Sequence, residues 1–219
     1  MIVEPDVKRT IAFFDGQNLY HAVREAFGYH YPNYDVVALA KAICEASDWS
    51  LTQTRFYTGV PDTADDKYWH DFWSAKLLAM SRQSVHIFSR ALRYRNRTMK
   101  LPDGKDFTFM VGEEKGVDVR IAVDIIRLAH SREYDVALVF SQDQDLSEVA
   151  DEIRVIAREQ DRWMKVACAF PFSPTSENRR GIDKTDWIRI ARATYDACVD
   201  AHDYRRKTDA GQTNPDPPK

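Results

Sequence analysis

Thr10-Ile11-Ala12-Phe13-Phe14, running straight into Asp15-Gly16-Gln17-Asn18-Leu19, is the stretch on which the fold turns. A short apolar run bounded by polar residues reads as a strand buried on both faces. The Asp-Gly step after it is a turn signal, and a helix is expected to begin near Asn18.

The same rhythm continues along the chain. Val36, Val37, Leu39, Ala40 and Ile43 recur at helical spacing between Asp35 and Ala46. Thr54 to Thr58 reads as a strand stopped by Gly59 and Pro61, Tyr68 to Gln83 as a helix, and Val85 to Phe88 as a strand. Farther on, the pattern predicts a helix over Val117 to His130, a strand over Val136 to Phe140 and a helix over Leu146 to Gln160. A strand over Lys165 to Phe170 and a C-terminal helix over Asp186 to Asp203 complete it. The stretch from Arg93 to Met110 breaks the alternation: a turn signal, Leu101-Pro102-Asp103-Gly104-Lys105, separates two β-favouring runs, which predicts a β-hairpin. Strands alternating with helices imply an α/β fold with a mainly parallel central sheet covered on both faces. Ligands in such sheets collect at the carboxyl ends of the strands, near a topological switch point. Residues 1–204 read as one domain with a hairpin insertion at about 93–111, and the polar, Pro-rich tail 205–219 is expected to be disordered.

Composition narrows the function classes. The chain has 219 residues, 44% hydrophobic and 12% aromatic, with a formal net charge of -3. No global basic field marks a nucleic-acid binder, so any such binding must rest on local patches. The cysteines, Cys44, Cys168 and Cys198, are widely spaced and form no C-x-x-C pair, as expected of free thiols in a reducing compartment. With no basic-then-apolar leader and no apolar run of membrane-spanning length, a soluble cytoplasmic protein is expected. The histidines lack zinc spacing, and neither a P-loop nor a G-x-S-x-G elbow occurs.

The informative residues are aspartates at helix starts. Asp15 follows the first strand and could be a simple turn or cap residue. Asp118 points, at about 100° per residue, into the apolar arc of Val117, Ile121, Ala122, Ile125 and Ile126. An inward carboxylate needs backbone donors, a base or a metal. Asp124 falls at the edge of the polar face and is left outside the site. Asp145-Leu146-Ser147-Glu148 has capping-box spacing, which explains Asp145 as an N-cap. Asp143 has no such explanation and lies where a strand end would aim it into the crevice. Gathered carboxylates repel unless a cation joins them, and oxygen ligands suit a hard divalent ion.

The blocks D-G-x-N-L at Asp15 to Leu19, K-G-x-D at Lys115 to Asp118 and S-x-D-x-D at Ser141 to Asp145 together resemble the NYN family. These are PIN-like metal-dependent ribonucleases that include a bacterial LabA-like group. The resemblance spans roughly Thr10 to Trp187 in the right order. It implies a PIN-like Rossmannoid three-layer fold and a Mg²⁺ or Mn²⁺ site. The catalytic carboxylates would be Asp15, Asp118, Asp143 and Asp145, with Asn18 and Ser141 orienting them. The activity implied is hydrolysis of single-stranded RNA to 5′-phosphate and 3′-hydroxyl ends. Two positions depart from the pattern: Gln142 stands where a small residue is usual, and Leu146 where an aromatic one is. A larger side chain at Gln142 would narrow access or contact substrate.

Arg90, Arg93, Arg95, Arg97, Lys100 and Lys105 concentrate charge around the hairpin, with Tyr94 and Phe107 interleaved, and such a ribbon could follow a phosphate backbone and stack a base. The plainer alternative is a charged edge that resists aggregation. Lys115 could hold a phosphate or balance Glu113 and Glu114. Arg179 and Arg180, in the loop after the last strand, are either a substrate lip or part of a plain connection. RNA is the expected partner, with a homodimer or a regulatory protein left open. The rival reading is a non-catalytic RNA-binding or protein-interaction module that retains the acids. A haloacid-dehalogenase-type phosphatase is weaker, because Gln17 stands where its second acid belongs.

Overall fold

The structure is a computed structural model that describes residues 2–205, so the expected tail beyond Arg205 lies outside the described residues. The elements run β1 (Arg9–Asp15), α1 (Gly16–Phe27), α2 (Val36–Ala46), β2 (Ser50–Val60), α3 (Lys67–Arg82) and β3 (His86–Ala91). They continue with β4 (Arg93–Lys100), β5 (Asp106–Glu113), α4 (Val117–His130), β6 (Val136–Phe140), α5 (Ser147–Glu159) and β7 (Lys165–Pro171). β8 (Asp186–Ile190) and α6 (Arg192–Asp196) close the chain, and a single 3-10 turn, Gln144–Leu146, precedes α5.

Six strands form one sheet in the order β3-β2-β1-β6-β7-β8, with every neighbouring pair parallel. β1 occupies the middle, which is why its run carries no charge: Ile11, Ala12, Phe13 and Phe14 are all buried. Side chains alternate between two cores. Ala12, Phe14, Leu138 and Phe140 face the layer of α1, α2 and α3, and the Phe14 and Phe140 rings stack at 3.9 Å. Ile11, Phe13, Ala137 and Val139 face α4 and α5. This is the expected α/β fold, PIN-like, with helices on both faces of a mainly parallel sheet. From β1 the chain builds outward through β2 and β3, then returns to the other side of β1 with β6. The switch point therefore lies between β1 and β6.

β4 and β5 pair antiparallel outside the main sheet, with Arg93 opposite Glu113 at the base and Lys100 opposite Asp106 at the tip. The Leu101-to-Lys105 turn closes them, as the sequence predicts.

The C-terminal segment corrects the expectation of a helix over Asp186 to Asp203. Asp186–Ile190 instead pairs with β7 as an edge strand, and only Arg192–Asp196 is helical. Trp, Ile and Ile within five residues favour a pleated, half-buried edge. Among the described residues no helix is long and apolar enough to cross a membrane.

Candidate active site

Two adjacent strand ends deliver the first acids. Asp15 is the last residue of β1 and also caps α1: its Oδ1 accepts the Asn18 backbone N–H at 3.1 Å. Gly16 is required beside it, since a Cβ there would meet the Phe56 ring at 2.6 Å. Asp15 Oδ2 accepts the Ser141 hydroxyl at 3.2 Å, and Ser141 Oγ in turn accepts the Asp143 N–H at 3.1 Å. Asn18 Oδ1 accepts the Gln142 N–H at 2.7 Å. The start of α1 is thus pinned to the loop after β6, with Asn18 and Ser141 as the pins.

The third acid arrives on α4. Gly116 caps this helix in the left-handed conformation, with φ of 74°, and offers no side-chain cap. A Cβ there would meet Arg90 Nη1 at 2.7 Å, and Arg90 Nη1 donates to the Lys115 carbonyl at 3.3 Å. The turn projects Asp118 from the first helical turn, partly buried. The first N–H groups of α4 stay without a side-chain partner, leaving a helix N-terminus open to an anion.

A cavity of about 380 Å³ gathers these parts: Asp15, Asp118 and Asp143 line it, with Lys115 and the N-terminus of α4. Glu114 also lines it and was not singled out by the sequence reading, which paired Glu113 and Glu114 with Lys115. Glu114 lies one residue past β5, whose faces are both largely exposed, so strand alternation alone gives no inward direction for it. Glu114 Oε2 accepts the Gly59 N–H at the end of β2.

Electrostatically the cavity is short of positive charge. Burial, with the Asp143 and Asp118 charges added, pushes Asp15 up to about 6 against its two hydrogen bonds. Burial, with the Asp15 and Asp118 charges, pushes Glu114 up to about 8. Among the described residues none of the four lining carboxylates makes an ion pair, and Lys115 turns toward Glu113 at 3.9 Å.

Asp143 lines the cavity and also takes the cap role expected of Asp145. Asp143 is the cap: its Oδ1 accepts the Asp145 N–H at 3.0 Å, closing the 3-10 turn. α5 begins one turn later without a side-chain cap, so the capping-box reading of Asp145 fails. Asp145 is exposed and outside the cavity wall, whereas Asp143 both caps and lines it.

Gln142 does not narrow the cavity. Its side chain points across to the segment after β7, where Nε2 donates to the Arg180 carbonyl at 2.7 Å. Gln144 repeats this, donating to the Gly181 carbonyl at 2.9 Å and accepting the Asp183 N–H at 3.1 Å. Arg179 and Arg180 ride on this stapled loop, exposed, with Arg180 held by Asp183 at 2.9 Å. Arg95 and Arg97 on the hairpin contact Glu113 at 3.7 and 3.0 Å. None of these arginines, nor Arg93, lines the cavity.

Asp124, assigned to a polar edge, is buried instead. It accepts from the Tyr57 hydroxyl at 2.9 Å and from Arg55 at 3.1 Å, with Arg120 at 3.1 Å as well. Burial alone would raise its pKa, but these donors hold it below the ordinary value. It bolts α4 to β2.

The NYN domain model matches residues 9–160. The chain belongs to the NYN family. The match takes in β1, the K-G-x-D turn and the loop after β6, the segments that supply the cavity acids. The family is nuclease-like, with a PIN-like fold. Among curated proteins nothing matches. Among solved structures, the chain is similar to a protein of unknown function from Vibrio parahaemolyticus, at 18% identity and a TM-score of 0.49, covering 90% of this chain and 99% of that one. It is also similar to a deacetylase of teicoplanin biosynthesis, at 14% identity, TM-score 0.32, and 72% and 68% of the two chains. Acinetobacter baumannii MurG is similar at 10% identity, TM-score 0.32, and 83% and 45% coverage.

Proposed function

We propose that this NYN protein is a metal-dependent ribonuclease that hydrolyses phosphodiester bonds of single-stranded RNA in the cytoplasm, with residues 1–204 as its single domain. The observation that carries the reading is the convergence of Asp15, Glu114, Asp118 and Asp143 on one cavity at the switch point, where four carboxylates meet the single cation Lys115 and, among the described residues, none of the four makes an ion pair. Among the described residues, no group of three or more His, Cys, Asp or Glu side chains could hold a metal ion as it stands. The donor set nevertheless fits one: it is all oxygen, as Mg²⁺ and Mn²⁺ prefer, and burial, with the charges of neighbouring carboxylates added, pushes Asp15 and Glu114 toward their protonated forms.

Asp15, Asp118 and Asp143 would hold the ion, with Glu114 as a further oxygen donor and Asp145 assisting from outside the wall. A bound Mg²⁺ or Mn²⁺ supplies a water activated at neutral pH and offsets charge developing on the phosphate. The chain's own residues do the positioning. Ser141 and the Asn18 N–H fix both oxygens of Asp15. The open N-terminus of α4 and Lys115 face the cavity, where they would bind a phosphate oxygen. Arg93, Arg95, Arg97, Arg179 and Arg180 would draw the rest of the strand toward it.

The test incubates purified protein with labelled single-stranded RNA and DNA, with Mn²⁺, Mg²⁺ or chelator, beside Asp143→Asn and Asp118→Asn. Metal-dependent cleavage of RNA that both variants lose is the expected result. Cleavage unchanged in the variants refutes the site. Binding without cleavage under every metal condition would instead establish the non-catalytic module.

A further inference from the structure

We propose that one face of the β4–β5 hairpin is a base-stacking platform for the single-stranded RNA that leads into the cavity. The proposal rests on reading that cavity as a site of RNA cleavage, but it uses different residues.

Directly opposed residues of an antiparallel pair share a face. The register therefore sorts the hairpin into two unlike sides. One carries Arg93, Arg95 and Arg97 across from Glu113, Val111 and Phe109, with Met99 opposite Phe107 nearer the tip. The Phe107 and Phe109 rings lie 5.9 Å apart and within 23° of parallel. They are 50% and 37% exposed, which is unusual for paired phenylalanines with nothing over them. Arg93 makes no ion pair among the described residues, and Glu113 offsets only part of the charge of Arg95 and Arg97.

The opposite side is unsuited to a polyanion. Tyr94, Met110 and Gly112 there line a hollow with Asp65 and Asp66, and Phe109 and Val111 of the front strand border the same hollow. Burial, and then the charges of Asp65, Asp66 and Asp62, push the Tyr94 phenol up. A strand of RNA is thus repelled from the back and attracted to the front. The front offers what an unpaired strand needs at once: flat rings for bases and guanidinium groups for phosphates. A duplex hides its base faces in the stack and gains only the charge contacts.

Continuity with the cavity sets the direction. Glu113 ends β5 on the platform side, and the next residue, Glu114, lines the cavity. At the usual rise per residue, Phe109 lies roughly 17 Å and Phe107 roughly 24 Å along the strand from Glu114. Only an RNA long enough to extend several nucleotides beyond the cleaved bond reaches the rings.

The experiment measures binding of labelled RNA to the full chain by fluorescence anisotropy in chelator, so that nothing is cut. A long unstructured RNA is compared with a short one that fills only the cavity. The Phe107→Ala/Phe109→Ala double variant should bind the long RNA at least about tenfold more weakly and the short RNA unchanged, while Phe107→Tyr/Phe109→Tyr restores the long-RNA affinity. Circular dichroism and thermal midpoints check that the variants are folded. Equal affinity of wild type for long and short RNA overturns the platform. So does an unchanged affinity in the double-alanine variant, which would leave the rings to a protein partner. Polyphosphate competing as well as RNA overturns the stacking component. Parallel cleavage of the short RNA in Mn²⁺ separates the two ideas. Cutting that persists with hairpin-insensitive binding refutes the platform alone. Ring-dependent binding with no cutting refutes the nuclease reading alone.

Discussion

Replacing Asp15 by Asn should stabilise the metal-free protein, and the gain should depend on pH. Asp15 is 6% exposed, and burial beside like charges raises it from the ordinary 3.8 to about 6. For a carboxylate raised on folding, the native state holds its proton over a pH range in which the unfolded chain has already lost it. The associated stability is fully present below 3.8 and is lost as pH rises through about 6. The rise corresponds to about 3 kcal/mol at neutral pH and above. Asn removes the charge, keeps an oxygen for the Asn18 N–H, and places its NH2 where the second oxygen stood, so that it donates to Ser141 Oγ in place of accepting from it; it caps a helix about as well as Asp. It also relieves Glu114, which Asp15 helps to raise. In chelator, the variant's melting temperature should match wild type near pH 4 and exceed it by about 6–12 °C at pH 8, the scale for a chain of this size. Excess Mn²⁺ should close the gap by stabilising wild type preferentially. Thermal unfolding followed by circular dichroism across that pH range measures it. A gap that does not change with pH, or a wild type that is the more stable at pH 8 in chelator, refutes the account of a charge-starved cavity.

Gly116→Ala forces an L side chain into φ of 74° and against Arg90; urea unfolding should show a loss of about 1–3 kcal/mol, with cleavage falling further as Asp118 shifts. Asp124→Ala removes the counter-charge of Arg55 and the acceptor of the Tyr57 hydroxyl, leaving Arg55 only its bonds to Tyr57 and Gln53, and should cost about 3 kcal/mol. Because the Asp124 pKa is depressed on folding, that contribution is present above the ordinary carboxylate pKa and fades as pH falls through the folded value. The wild-type advantage should therefore shrink in acid, and a constant difference would rule the charge out. Gln142→Gly removes the staple to Arg180; limited proteolysis should cut faster between Phe172 and Thr185 while cleavage of short RNA persists, and an unaltered digestion pattern would show that Gln144 suffices.

What the sequence disclosed followed the strength of local pattern. β6 and α4 have the bounds their periodicity predicts, because a charge-free run and a broad apolar arc each have one good burial solution. β8 was misread because Trp187, Ile188, Ile190 and Tyr195 also fit a helical arc, and an edge strand that is mostly exposed carries little contrary signal. That Asp143 and not Asp145 is the cap turns on one 3-10 turn inserted before α5, which moves the helix start past the residue whose spacing looks right. Asp124 sat among arginines on the helical wheel and looked solvated, yet Arg55 and Tyr57 reach it from a strand distant in sequence. Glu114 is hidden by its neighbours, since Glu-Glu-Lys reads as surface until the fold brings it to the Gly59 N–H at the end of β2.

Every backbone pair of the hairpin is internal to it, from Arg93 with Glu113 to Lys100 with Asp106, and the cavity begins one residue past its base. Its tip can therefore lengthen, shorten or change its rings without disturbing a single cavity carboxylate. Such a layout separates the two parts mechanically: one can be rebuilt because the other does not lean on it.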